Sequence, residues 1–226
     1  MNDLISSLRD GLVVSCQAYP GEPLRHPETM AQMAEAVVAG GAVAVRAQGL
    51  ADIAFITGRV TVPVVGLWKV GRDGVFITPT LRHARAVRDS GADIVALDGT
   101  RRPRPDGLTL AETVHRLHEQ QPILIMADCG CLDDALAAQE AGVDLVGTTL
   151  AGYTEDRART AGPDLDLVAD IVERAPGLPV VAEGRVHTPE QARLALAAGA
   201  HAVVVGSAIT HPTTITRWFS DAISTP

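Results

Sequence analysis

One phrase recurs along this chain and limits what it can fold into. A small residue and a glycine, closing a helical pattern, lead straight into a short β-rich run. The phrase reads AGGAVAVR at Ala39–Arg46, SGADIVALD at Ser90–Asp98, AGVDLVGT at Ala141–Thr148 and AGAHAVVVG at Ala198–Gly206. Its glycines, Gly40, Gly91, Gly142 and Gly199, follow one another at 51, 51 and 57 residues. Glycine just past a helix is the expected C-terminal stop. A second phrase falls between these: PVVGLWK at Pro63–Lys69, PILIMAD at Pro122–Asp128 and PVVAEG at Pro179–Gly184. Proline is tolerated at the first residue of a strand, where each of the three is expected. The opening GLVVSCQ, Gly11–Gln17, is a similar run without proline. Interleaved, the two phrases predict eight strands with helical or turn-rich segments between them. Strands alternating with helices imply right-handed parallel crossovers. A five-stranded doubly wound sheet would leave three strands over. The expectation is an α/β protein, a single (β/α)8 TIM barrel over residues 1–226, with an open eight-stranded sheet as the alternative.

The length of 226 residues suits one such barrel. The chain is 46% hydrophobic but only 3% aromatic, so its core must be built from Val, Ile, Leu and Ala. That composition fits strands buried on both faces. A net charge of −8 argues against a nucleic-acid partner. It leaves an anionic substrate open, because backbone N–H groups and a few placed cations can hold phosphate in an acidic protein. No apolar run approaches the ~18 residues of a membrane span. Met1 leads into NDLISSLRDG with no apolar signal stretch. No membrane partner and a cytoplasmic location are expected. Cys16, Cys129 and Cys131 are odd in number and lack metal-finger spacing, which fits a reduced setting. Cys129 and Cys131, flanking Gly130, read as reduced thiols more readily than as a redox switch. There is no hydrolase triad motif, no GxGxxG fingerprint and no P-loop, and no metal or cofactor is expected. Leu/Ala-rich outer helices leave a homodimer open.

Barrel chemistry gathers at the C-terminal strand ends. The residues expected there are Gln17, Arg46, Lys69, Asp98, Asp128, Thr148, Glu183 and Gly206. The longest irregular stretches, 19–26, 70–79, 100–107 and 151–163, follow strands and would surround that mouth. Lys69, at the end of an apolar run beside Trp68, is a candidate for a pKa lowered by desolvation, as general base or Schiff-base nucleophile. The plainer alternative is a structural lysine paired with Asp128 or Glu183. Glu183, between an apolar strand and Gly184, is costly to bury unless paired or used. Its alternative role is an ion pair with Arg46, Lys69 or Arg185. Asp128 suits hydrogen bonding or electrostatic support, while Asp98 reads best as orienting the turn before Thr100. Gly184 and Arg185 after strand seven, and Gly206 and Ser207 after strand eight, occupy the two loops where many barrels hold phosphate. His115 and His118 share a helix face away from the mouth, and His187 reads as the approach to the helix opening at Thr188-Pro189. Asp133–Asp134 and Asp164–Asp166 read as helix N-terminal acids.

Six segments carry a resemblance: SCQA (15–18), AVRAQG (44–49), FITPT (76–80), GTTLAGYT (147–154), VVAEGRVHTPEQA (180–192) and VVVGSAITHPTTIT (203–216). The chain resembles the N-acetylmannosamine-6-phosphate 2-epimerase family over almost its whole length. AVRAQG and VVAEGR alone would indicate only the wider ribulose-phosphate-binding barrel group. The resemblance implies interconversion of N-acetylmannosamine 6-phosphate and N-acetylglucosamine 6-phosphate, in the breakdown of sialic acids, without nucleotide or metal. By the same resemblance Lys69 and Glu183 are the catalytic pair. Gln17, Arg46 and Asp128 match the substrate contacts, and Gly184, Arg185, Gly206 and Ser207 the phosphate loops. Two loops depart from the family pattern. Lys69-Val70-Gly71-Arg72-Asp73-Gly74 replaces a common K-R-D-Y, and Cys129-Gly130-Cys131 replaces I-S-T after Asp128. Both changes leave the acid–base pair intact. The rivals are an aldol or ring-forming enzyme of the same barrel group, with Lys69 as Schiff base, and a catalytically silent phosphosugar-binding barrel. A binding module would need the phosphate loops but not the Lys69–Glu183 pair.

Overall fold

Each recurring phrase becomes one strand of a closed barrel in the computed structural model. The structure describes residues 3–119, 121–154 and 156–224. The remaining residues of the expected 1–226 domain, Glu155 of the 151–163 loop among them, lie outside the described residues. The strands are β1 (Gly11–Cys16), β2 (Ala44–Gln48), β3 (Val64–Leu67), β4 (Ile94–Asp98), β5 (Leu124–Asp128), β6 (Leu145–Gly147), β7 (Val180–Glu183) and β8 (Ala202–Val205). They pair in parallel in sequence order, and β1 meets β8 with Leu12 opposite Val203, so the barrel closes. The helices are α1 (Asp3–Ser7), α2 (Pro27–Ala39), α3 (Leu50–Thr57), α4 (Leu81–Asp89), α5 (Leu110–His118), α6 (Leu132–Glu140), α7 (Leu165–Arg174), α8 (Pro189–Ala197), α9 (Ser207–Thr210) and α10 (Pro212–Ser224). No described helix is long and apolar enough to cross a membrane.

The prolines stand just outside the strands they were expected to open. Pro63 and Pro179 precede β3 and β7 directly, and Pro122 lies two residues before β5. Their lack of an N–H therefore removes nothing from a ladder. The carbonyls of Pro63 and Pro179 still serve the sheet, accepting from the N–H groups of Val45 and Val146.

Alternation along each strand divides the core in two. Val13, Val65, Ile94, Met126, Leu145, Val181 and Val204 fill the barrel interior, and Ile5 of α1 packs against that same cluster. Val14, Val45, Val95, Ile125, Val146, Val180 and Val203 face outward under the helices. The contact is close at Gly66 of β3, where an added Cβ would lie 2.7 Å from Ala92 Cβ and 2.9 Å from Val87 Cγ1.

Beyond β3 the chain folds back before entering α4. Lys69 forms an antiparallel bridge with Ile77. The Val70 N–H donates to the Phe76 carbonyl and the Thr78 N–H to the Trp68 carbonyl. This hairpin fixes Lys69 two residues past the parallel ladder.

Candidate active site

The C-terminal strand ends enclose a cavity of about 790 Å³. Gln17, Arg46, Lys69, Glu183, Gly184, Arg185, Gly206 and Ser207 all line it. Asp128, expected as a substrate contact, does not stand on its wall. Its carboxylate ends β5 beneath Arg46 and Thr149 and is fully buried.

Arg46 is the third of five residues in β2, not its last. Its side chain lies within the barrel and is 1% exposed. Nη1 and Nη2 grip Asp128 at 3.1 Å to Oδ1 and 2.5 Å to Oδ2. Nη1 also reaches Glu183 Oε2 at 3.0 Å. Burial disfavours the guanidinium charge, but Asp128 and then Glu183 outweigh it and raise the Arg46 pKa. Gln48, which sequence reasoning passed over, ends β2. It lines the cavity, and its Oε1 accepts from the Lys69 N–H at 3.4 Å.

The Lys69 ammonium pairs with neither acid. Nζ donates to Gln17 Oε1 at 2.8 Å, and Gln17 Nε2 donates in turn to Ser15 Oγ at 2.7 Å. Nζ stands 5.7 Å from the centre of the Tyr19 ring. Burial lowers the Lys69 pKa, Arg46 lowers it further, and Glu183 and Asp128 oppose. A lysine bonded to a neutral amide beside a fixed guanidinium can lose its proton far more readily than one in water.

Glu183 ends β7. Its backbone is held by Thr148, whose hydroxyl accepts from the Glu183 N–H and donates to the Glu183 carbonyl, both at 3.0 Å. Burial raises its pKa most, Arg46 opposes, and Asp128 adds to the rise. Its carboxylate meets Thr149, a second residue that sequence reasoning passed over. Thr149 Oγ1 lies 3.1 Å from Glu183 Oε2 and 2.7 Å from Asp128 Oδ1.

The two loops expected to hold phosphate open on the same cavity. Gly184 has φ of 104°, a conformation that side chains resist. Arg185 turns its guanidinium away to clamp the β6–α7 connection, donating to the carbonyls of Gly162 and Ala151 and to Thr160 Oγ1 at 3.1, 2.8 and 2.9 Å. Gly206 leads into the short α9, and Thr210 of that helix donates to the Ser15 carbonyl at 2.7 Å.

The other candidates stand apart from the chemistry. Asp98 accepts from the Thr100 N–H and hydroxyl and pairs with Arg102 at 2.8 Å, which is the turn-orienting role expected of it. His115 pairs with Glu119 on the exposed face of α5, and the His118 ring meets the Ile123 carbonyl. His187 lines the cavity mouth, and its ring packs on Trp218 with centroids 4.9 Å apart. Asp164 caps α7 by accepting from the Leu167 N–H. All three cysteines are free and buried, and burial drives the Cys129 thiol pKa well up. Among the described residues, Cys131, Asp134 and Asp156 could together hold a metal, with donor atoms within 4.8 Å of one another. None of them lines the cavity, and the Arg101 guanidinium already occupies the group, 3.3 Å from Asp134 and 3.8 Å from Cys131.

A parallel barrel that sets a half-buried lysine and a half-buried glutamate around a buried Arg–Asp pair belongs to the class of acid–base enzymes acting on small polar substrates. The comparisons narrow that class. The family described as putative N-acetylmannosamine-6-phosphate epimerase matches residues 30–225. A Cutibacterium acnes protein named putative N-acetylmannosamine-6-phosphate 2-epimerase is 66% identical over 97% of this chain and 96% of its own. One of the same name from Caldanaerobacter subterraneus subsp. tengcongensis is 48% identical over 96% of this chain and 92% of its own. The structure of the N-acetylmannosamine-6-phosphate 2-epimerase from Clostridium perfringens superposes with a TM-score of 0.92 at 37% identity, covering 97% of this chain and 96% of that one. This chain belongs to the N-acetylmannosamine-6-phosphate 2-epimerase family.

Proposed function

We propose that the protein interconverts N-acetylmannosamine 6-phosphate and N-acetylglucosamine 6-phosphate by removing the C2 proton and returning it on the opposite face. The observation that carries this is the cavity itself, which Lys69 and Glu183 both line with Arg46 between the acids, and where burial lowers the lysine pKa and raises that of the glutamate. A base and an acid poised in one cavity are what a proton-transfer reaction needs. The C2 proton is acidic only when C1 is an aldehyde, so the ring opens first, and the charge that then develops on O1 needs a partner. Lys69 takes the C2 proton. Glu183 assists ring opening or proton return. Arg46 and Gln17 orient the sugar, with Asp128 acting through Arg46. The backbone around Gly184–Arg185 and Gly206–Ser207 takes the phosphate. We also assign the protein to the cytoplasm, in amino-sugar breakdown, and to a homodimer.

The test is turnover in heavy water, followed by proton NMR. Product must carry deuterium at C2. A Lys69→Met variant should lose that exchange by about 10²–10⁴-fold, the range for removing a general base, and Glu183→Gln should slow turnover. Near-normal exchange in Lys69→Met would remove the lysine from the reaction. A borohydride-trapped adduct would point instead to imine chemistry.

A further inference from the structure

The hydroxyl of Thr149 stands between two carboxylates and has one proton to give. Its Oγ1 is 2.7 Å from Asp128 Oδ1 and 3.1 Å from Glu183 Oε2. Those same two oxygens also receive Arg46 Nη1, at 3.1 and 3.0 Å. An ionised carboxylate only accepts, and a threonine hydroxyl donates once. With both acids ionised, one of the two Thr149 contacts would be an oxygen facing an oxygen with no hydrogen between them. Given to Asp128, across the shorter contact, that single proton leaves none for Glu183. Thr149 then offers Glu183 a lone pair, and only a protonated Glu183 can supply the missing hydrogen.

We propose, on the reading of function above, that Thr149 is a positioning residue that keeps Glu183 in its acid form, accepting from the Glu183 carboxyl and donating onward to Asp128. The adjacent threonines thus hold Glu183 from both ends, Thr148 by the backbone and Thr149 by the carboxyl. Room for the relay comes from Gly147, where an added Cβ would lie 3.0 Å from Thr149 Oγ1 and 3.2 Å from Asp128 Oδ1. Arg46 from β2, Asp128 from β5, Lys69 from the β3 hairpin and Tyr19 from the β1–α2 loop are the charged or titratable groups around Glu183. Arg46, Lys69 and a Thr149 hydroxyl turned towards it favour its ionised form, while burial and Asp128 favour the acid, so the direction of the Thr149 proton decides which way that residue acts. A lysine close to neutral opposes the acid form less than a charged one would. The relay therefore suits the state in which Lys69 is base and Glu183 is acid.

Thr149→Val removes the acceptor while keeping the shape, and protonated Glu183 loses its partner. The kcat should fall roughly ten-fold with KM little changed, the scale of one lost hydrogen bond to an ionisable group. The limb of the pH–kcat profile that Glu183→Gln abolishes should move to lower pH by about one unit. Thr149→Ser should restore both, and Thr149→Ala carries the same readout if Val disturbs packing. Infrared difference spectra of the substrate-free protein should show a protonated-carboxyl band at neutral pH that is absent in Glu183→Gln and lost or shifted in Thr149→Val. A limb that stays in place, a Ser variant as impaired as Val, or a wild type without that band overturns the role of Thr149. Failure of the wild type to exchange C2 overturns the epimerase reading instead, and the infrared arm still decides this one.

Discussion

Lys69 destabilises the fold that positions it. Its folded-state pKa is lowered, by burial first and Arg46 second. Below that lowered value both folded and unfolded chains carry the proton, and the folded state bears the cost of the partly desolvated charge. Between it and the ordinary value of 10.5 folding releases the proton, so stability climbs with pH through that window and the cost is gone above it. Lys69→Met should therefore melt above the wild type at neutral pH, and the gap should narrow as pH rises towards 10.5. Thermal melts of the two proteins across that range check it; a variant that melts lower throughout would show that the Gln17 contact outweighs desolvation. The sequence exposed Lys69 and Glu183 because each ends an apolar run, where a charge needs a reason. It did not expose Thr149, since a threonine after a strand is also ordinary turn chemistry. Nor did it show that Asp128 lies under Arg46. That depends on Arg46 falling mid-strand, and strand ends are poorly marked when the next residues, Ala47 and Gln48, continue the pattern.

At the scale of elements, the recurrent phrases located every strand, because a helix stop followed by a β-branched run is a local signal. The hairpin after β3 was not legible. Its antiparallel bridge joins Lys69 to Ile77 across a turn-rich stretch whose composition reads only as loop. Arg185 was likewise read by position, while its side chain is committed to the β6–α7 connection by three hydrogen bonds. Arg185→Ala should raise amide hydrogen exchange across 151–163 and raise KM more than it lowers kcat, since the clamped loop borders the cavity. At the neighbouring phosphate loop, Gly206→Val should raise KM steeply for the phosphorylated sugar. An added Cβ there lies 3.4 Å from Ser15, and the larger side chain crowds the cavity. An unchanged KM would move the phosphate elsewhere. Gly66→Ala should lower stability by about 1–3 kcal/mol through overpacking, measured by denaturant unfolding, because the new methyl meets Ala92 and Val87 at under 3 Å.

For the whole molecule, the barrel accounts for every helix but the last. α10 has no buried residue along Pro212–Ser224, yet it carries Trp218, Phe219 and Ile223. Phe219 is 70% and Ile223 85% exposed. A helix of thirteen residues is marginal alone in water, so packing of an apolar face must hold it. The contact of Trp218 with His187 supplies part of that packing at the barrel mouth. The rest of the apolar strip faces outward, as a surface awaiting a partner does. The proposed homodimer would cover it with a second copy. Sedimentation should then give twice the 23.7 kDa of one chain, and the melting temperature should rise with protein concentration. Replacing both Phe219 and Ile223 by Glu should yield a monomer that melts lower and no longer depends on concentration. A wild type that sediments as a single chain at micromolar concentration would end the dimer proposal.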